Sequence, residues 1–210
     1  MIDFAKLPIF IAAALILLLT PGPAVLYIIA RSVDQGRLAG LISVLSIEVG
    51  NFIHVLAATL GLSALVFSTT WGFTVVKWLG GVYLIYLGIR RYISGAEAEA
   101  SPAIKGQGLN RVFSQGVLVA VLNPKTALFF LAFLPQFVDP ERGSISLQFF
   151  SLGCIFVLLA IFTDGLYSLA SSTGSNWLKG NQSFWRVERI IAGSVYILLG
   201  LTAAFSSIPK

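Results

Sequence analysis

Charge is what this 210-residue chain has least of. Only 11% of its residues are Asp, Glu, Lys or Arg, against about 25% in a soluble domain, while 57% are hydrophobic. One water-soluble core cannot hide that much apolar surface, so the chain reads as a single integral membrane domain. Cysteine is scarce as well. Cys154 stands alone, which excludes an intrachain disulfide and any cysteine spacing for a metal. His54 is the only histidine, poor support for a cation or metal exporter built on clustered soft ligands. No His-Glu-x-x-His, Gly-x-Ser-x-Gly or Gly-x-x-x-x-Gly-Lys-Ser/Thr pattern occurs, so nothing marks an enzyme, and energy would come from an ion gradient or from exchange. No cofactor or metal site is expected. The net charge of +5 sits mostly between apolar runs, so it speaks to orientation in a bilayer and not to nucleic acid.

What the chain has instead is long apolar runs. A membrane span needs about 20 such residues, and six candidates fall at 4–30, 39–67, 73–93, 111–138, 145–171 and 187–207. Residues 7–19 are apolar, but Asp3 and Lys6 give a neutral start and the run resumes after Pro23. That pattern fits an uncleaved first span better than a signal peptide. Residues 31–38 form a short polar connection, and 94–110, with Gly95, Pro102, Gly106 and Gly108, form the longest linker. Arg31, Arg37, Arg90, Arg91, Lys105, Arg111, Lys179, Arg186 and Arg189 share one set of loops. The excess of basic residues puts that set in the cytoplasm of an inner-membrane protein, with both termini outside.

Six spans divide into two halves, 1–93 and 111–210, and three spans per half force the halves into opposite orientations. Leu19-Thr20-Pro21 echoes Leu122-Asn123-Pro124, and Gly81–Gly88 echoes Gly193–Gly200 with four of eight positions identical. The expected fold is therefore all-α, six transmembrane helices as two inverted three-helix repeats.

Spans one and four are broken by Thr20-Pro21-Gly22-Pro23 and Asn123-Pro124-Lys125. A proline lacks an N–H and its ring clashes with the carbonyl one turn earlier. Freed backbone groups survive in lipid only against protein or a water-lined cavity, and paired breaks in two halves point to a transporter's binding site. Broken helix ends offer partial charges of both signs, matching the two ends of a zwitterionic amino acid. Thr20 and Asn123 can add side-chain hydrogen bonds, and Lys125 can attract a carboxylate. The competing reading is a pair of kinks healed by neighbouring helices.

Ionisable groups within spans are costly. Glu48 and Asp164 occupy the middle spans of the two halves, and Glu48, Asn51 and His54 step by three along one helix, within reach of their neighbours. They read as a polar lining with a proton-coupling carboxyl, or as a network that only fixes packing.

These residues resemble a known family. Leu-Thr-Pro-Gly-Pro-Ala (19–24), Ala-Arg-Ser (30–32), Gln-Gly-Arg-Leu-Ala-Gly (35–40), Leu79–Gly88, Leu122–Phe130, Pro135-Gln136-Phe137 and Thr-Asp-Gly-Leu-Tyr (163–167) look like the lysine exporter superfamily (LysE/RhtB), in its branch of homoserine/threonine resistance exporters. The likeness spans nearly the whole chain. It implies an inner-membrane exporter of amino acids or close derivatives driven by the proton motive force. Substrate would contact Thr20, Pro21, Gly22, Pro23, Asn51, Asn123, Pro124 and Lys125, and Asp164, Glu48 or His54 would couple protons. Partners would be the solute, protons and the bilayer, and a homodimer is compatible with the sequence. Leu45–Asn51 departs from the family's usual small uncharged residues, so Glu48 marks either a substrate difference or a local network. A cation or metal exporter, and a membrane enzyme or assembly factor acting on lipid through Asp164, Glu48 and His54, are the alternatives.

Overall fold

The computed structural model describes residues 2–62, 78, 81–82, 85–86, 88–90, 92–93, 108–173, 186–187, 190, 193–195, 197–198 and 200–201. Its elements are α1 (Leu7–Leu19), α2 (Pro23–Ala57), α3 (Leu109–Val121), α4 (Pro124–Leu128) and α5 (Ile145–Thr173). A wide helical turn, Ala58–Leu62, extends α2, and Phe129–Phe133 and Leu134–Phe137 extend α4. Among the described residues three stretches are long and apolar enough to cross a membrane: Pro23–Gly61, Leu109–Phe137 and Ile145–Thr173. Residues 94–107, most of the expected linker, lie outside the described residues, as do most of the third and sixth spans.

The prolines set the breaks as expected. Thirteen residues of α1 rise only about 20 Å, short of the ~30 Å hydrocarbon layer, so α1 needs the start of α2 to complete a crossing. Leu122 and Asn123 separate α3 from α4 in the same way. Pro135 then denies a hydrogen bond to the preceding turn, where the helix changes from the wide Phe129–Phe133 turn to a tight one.

Gly36 turns α2 back on itself. Its φ of 81° and ψ of −175° belong to a region open essentially to glycine alone. A Cβ built on Gly40 would run into the Ser32 side chain, and Ala24, Ile28, Val44 and Ile47 share one apolar cluster. These pairings, mirrored about Gly36, make α2 two antiparallel legs, 23–35 and 37–57. The 31–38 connection is thus helical except at Gly36, where a polar loop was expected. Arg31, expected as an anchor at the cytoplasmic face, is 2% exposed. Its guanidinium donates to Gln115 Oε1 at 2.7 Å and lies 5.2 Å from the Tyr27 ring centroid, so protein groups replace the water it gives up.

Among the described residues, three pairs of helical segments cross in opposite directions. Against the first span, Phe10 meets Phe137 at 5.3 Å, whereas Tyr27 donates to the Val112 carbonyl at 2.6 Å. The second leg of α2 and α5 meet at Ser32–Gly40 beside Ser168 and, further out, where Val55 covers Gly153. At Gly88 an added Cβ would lie 2.7 Å from the Gly193 carbonyl, and at Gly200 2.6 Å from the Gly81 carbonyl. The echoed glycines are therefore where two helical segments touch backbone to backbone, the close approach that small residues permit.

Candidate solute site between the two helix breaks

The breaks lie side by side. Lys125 Nζ donates to the Thr20 carbonyl at 2.5 Å, and the Tyr167 hydroxyl donates to the Leu19 carbonyl at 2.8 Å. Two carbonyls at the end of α1, left over where the helix stops, are thereby satisfied from α4 and α5. The Thr20 hydroxyl turns back to Ile16 at 2.6 Å, so its side chain serves its own helix.

The two helix starts differ. Asn123 Oδ1 accepts from the Lys125 N–H at 3.1 Å, and its amide donates to Thr126 Oγ1 at 3.2 Å. This is an N-cap, and it engages both ends of the Asn123 side chain. Gly22, at the corresponding place before α2, has no side chain and gives no cap. Pro21 and Pro23 carry no N–H, so the first amides of α2 are those of Ala24 and Val25.

Between the breaks lies a cavity of about 20 Å³, lined by Leu17, Leu18, Ala24 and Val25 from the first break, Asn123, Lys125 and Thr126 from the second, and Ile47, Asn51, Phe156 and Asp164 from the middle helices. It has room for one or two water molecules, far less than an amino acid. Phe10, Phe129, Phe133, Phe137 and Phe156 pack over one end. Tyr27–Val112, Arg31–Gln115 and Ser32–Ser168 are bonded towards the other.

Glu48, Asn51, Lys125 and Asp164 are all at least nine-tenths buried. Asn51 Nδ2 donates to Glu48 Oε2 at 3.1 Å. The carboxyls of Glu48 and Asp164 lie within hydrogen-bond reach of one another, and the Lys125 charge acts on Asp164. Two carboxyls can share a hydrogen bond only when one carries the proton. His54 is apart from the cavity lining: its Nε2 is 3.2 Å from the Ala120 carbonyl and its ring stacks on Phe130.

Of the residues expected at a site, Asn51, Asn123, Lys125 and Asp164 therefore line one space. Pro21, Gly22, Pro23 and Pro124 set the breaks but do not line it, Thr20 is tied to it only by the bond from Lys125 to its carbonyl, and Glu48 only by the bond from Asn51. Sequence reasoning passed over Thr126 and Tyr167. Tyr167 follows Asp164 by three residues on one helix face, and that spacing was the available signal. Among the described residues no three His, Cys, Asp or Glu side chains are grouped to hold a metal ion.

Two proline-broken helices that meet around a small cavity, beside apolar helices of membrane length, fit a membrane protein of the kind whose broken helices border a solute site. The chain belongs to the family of LysE type translocators, whose pattern it matches over residues 15–207. It is 25% identical over 195 residues to the homoserine/homoserine lactone efflux protein of Salmonella typhimurium, covering 93% of this chain and 94% of that one. It is 28% identical to an uncharacterized membrane protein of Vibrio cholerae, again over 93% and 94% of the two chains. A Bacillus subtilis membrane protein is 27% identical over 94% of this chain and 97% of its own. No solved structure matches.

Proposed function

We propose that the chain exports amino acids or close derivatives, small neutral ones such as threonine or homoserine, across the inner membrane, and that the proton motive force drives the export. Family membership and the relative named for homoserine efflux support the class of solute. The observation that carries the reading is the cavity between the two proline breaks. It offers the uncapped amides of Ala24 and Val25 and the Lys125 ammonium towards a carboxylate, and Asn51 and Asp164 towards an ammonium. Glu48 and Asp164 are the proton-coupling pair. His54, bound to Ala120 and Phe130, is a packing residue in this reading.

The opposed crossings of α1–α2 with α3–α4, of the second leg of α2 with α5, and of Gly81–Gly88 with Gly193–Gly200 support an inverted repeat of three spans each, 1–93 and 111–210. Access would alternate by rocking one half against the other, opening first the Arg31–Gln115 end, which we place in the cytoplasm, and then the phenylalanine-packed end.

Purified protein in proteoliposomes with an imposed proton gradient tests this. With labelled threonine, homoserine, serine, leucine and lysine, we expect gradient-dependent movement of at least one, lost on Asp164→Asn. Folded, oriented protein that moves none of them would contradict the reading.

A further inference from the structure

Three oxygens beside the cavity accept a hydrogen bond from no donor among the described residues: Glu48 Oε1, Asn51 Oδ1 and Asp164 Oδ1. All three side chains are at least 95% buried, with exposures of 5%, 3% and 3%. Asn51 and Asp164 line the cavity itself. Each atom is an acceptor, because the Asn51 amide hydrogens face Glu48 Oε2. A buried acceptor left without a donor costs about 1–3 kcal/mol, more when charged, and three on one site call for something positive.

The charged groups facing the site can be counted element by element. The second leg of α2 brings Glu48, and His54 on the same leg is turned to Ala120. From α5 come Asp164 and Tyr167, the latter bonded to Leu19. From α4 comes Lys125, directed at Thr20 and acting on Asp164. The α1 element brings Thr20 and no titratable group, and Arg111 of α3 is exposed. Among the described residues, two carboxylates against one ammonium leave one negative charge to be met.

We propose that Glu48, Asn51 and Asp164 form the seat for a single positive charge, occupied either by one proton shared between the carboxyls or by a monovalent cationic group, the protonated amine of the transported solute, and never by both. The proposal rests on the exporter reading for its ligand. The solute arrives already protonated. As its ammonium reaches the three oxygens, the carboxyl O–H bond breaks and that proton leaves to water on the side to which the cavity is open. When the solute departs on the other side, a proton from there takes the seat. One seat for one charge makes transport a one-for-one exchange. A bare alkali ion has the same chemistry.

The test uses the purified full chain in weakly buffered detergent with a pH indicator. We expect one of the five amino acids above, homoserine first, to release about one proton per molecule bound, with its affinity falling about tenfold for each pH unit below the range where the seat is empty. N-acetylhomoserine, which keeps the carboxylate and hydroxyl but no charge on nitrogen, should release none. Sodium, potassium and methylammonium chloride run as separate arms. Release by sodium or potassium, with none by any amino acid, assigns the same seat to a bare cation. Amino-acid binding with no proton release and no pH dependence overturns the seat while leaving the exporter reading standing. Absence of amino-acid binding with release by methylammonium or alkali ions sinks the exporter reading and keeps the seat; no release in any arm overturns it.

Glu48→Gln leaves one carboxylate against the Lys125 ammonium and so mimics the protonated seat; it should bind solute at least about tenfold more weakly and release no proton. Asn51→Ser removes one acceptor and neither carboxyl. It should weaken binding about tenfold, the loss of one hydrogen bond to a charged group, while one proton is still released. Unchanged release in a folded Glu48→Gln, or unchanged affinity in Asn51→Ser, would count against the seat.

Discussion

Lys125 and Thr20, 105 positions apart, are joined by a hydrogen bond from the lysine ammonium to the threonine carbonyl. The carbonyl is free because Pro21 and Pro23 stop the helix that would have used it, and the lysine is there because Pro124 starts another helix beside it. Each break supplies what the other lacks. Lys125→Met should therefore do two kinds of damage: the Thr20 carbonyl loses its donor, and Asp164 loses the positive charge that acts on it. We expect destabilisation of about 3–5 kcal/mol, the range for removing one partner of a buried charged group, measured as loss of thermal stability in detergent. A variant as stable as the parent would show that the contact carries no weight.

Tyr167→Phe removes one hydroxyl from the Leu19 carbonyl and little volume. The cost should be about 1 kcal/mol, visible as a small drop in melting temperature, with a larger fall in transport rate because α1 and α5 no longer move as one piece. Equal transport by the two proteins would refute the second half of this expectation.

Asn123 separates capping from solute contact. Asn123→Ser keeps an uncharged side-chain oxygen that can accept from the Lys125 N–H, so it should cost no more than about 0.5 kcal/mol, whereas Asn123→Ala should cost about 1 kcal/mol. Guanidinium-free thermal denaturation of both variants checks the order; a reversed order would mean that the cap is not what Asn123 provides.

Gly36→Ala tests the hairpin. Nothing lies within 4 Å of an added Cβ there, so crowding cannot contribute, and the positive φ alone should cost about 1–3 kcal/mol. Gly50→Ala is the converse case. Its backbone is ordinary, but the Cβ would meet Ala120 and the Val117 carbonyl, the latter at 3.0 Å, and overpacking should cost a similar about 1–3 kcal/mol. Thermal melts that leave either variant at the parent's stability would remove the corresponding argument.

Much of the site was legible because proline chemistry is local. Whatever surrounds Pro21, Pro23 and Pro124, their missing N–H groups and fixed rings must stop a helix, and the paired glycines at 81, 88, 193 and 200 announce close contact by their spacing. Membrane segments could be read from apolar length alone. What stayed hidden depends on partners distant in the chain. Arg31 reads as a surface anchor until Gln115 and Tyr27 are seen to enclose it. Asn123 reads as a ligand for solute until Lys125 and Thr126 are seen to engage both of its ends. The turn at Gly36 reads as a loop because polar residues surround it, although helical backbone continues on either side.

The central claim is that the solute occupies the space between the two breaks, and site-directed labelling tests it most directly. Cys154 is the only cysteine, so a Cys154→Ser background carrying Thr126→Cys places one thiol on the cavity wall. Ser114→Cys, at an exposed position on α3, serves as control. A small methanethiosulfonate reagent should label both, and saturating homoserine, or whichever of the five amino acids is transported, should slow labelling at position 126 several-fold and leave position 114 unchanged. Equal labelling at 126 with and without a solute that the same protein transports would place the binding site elsewhere.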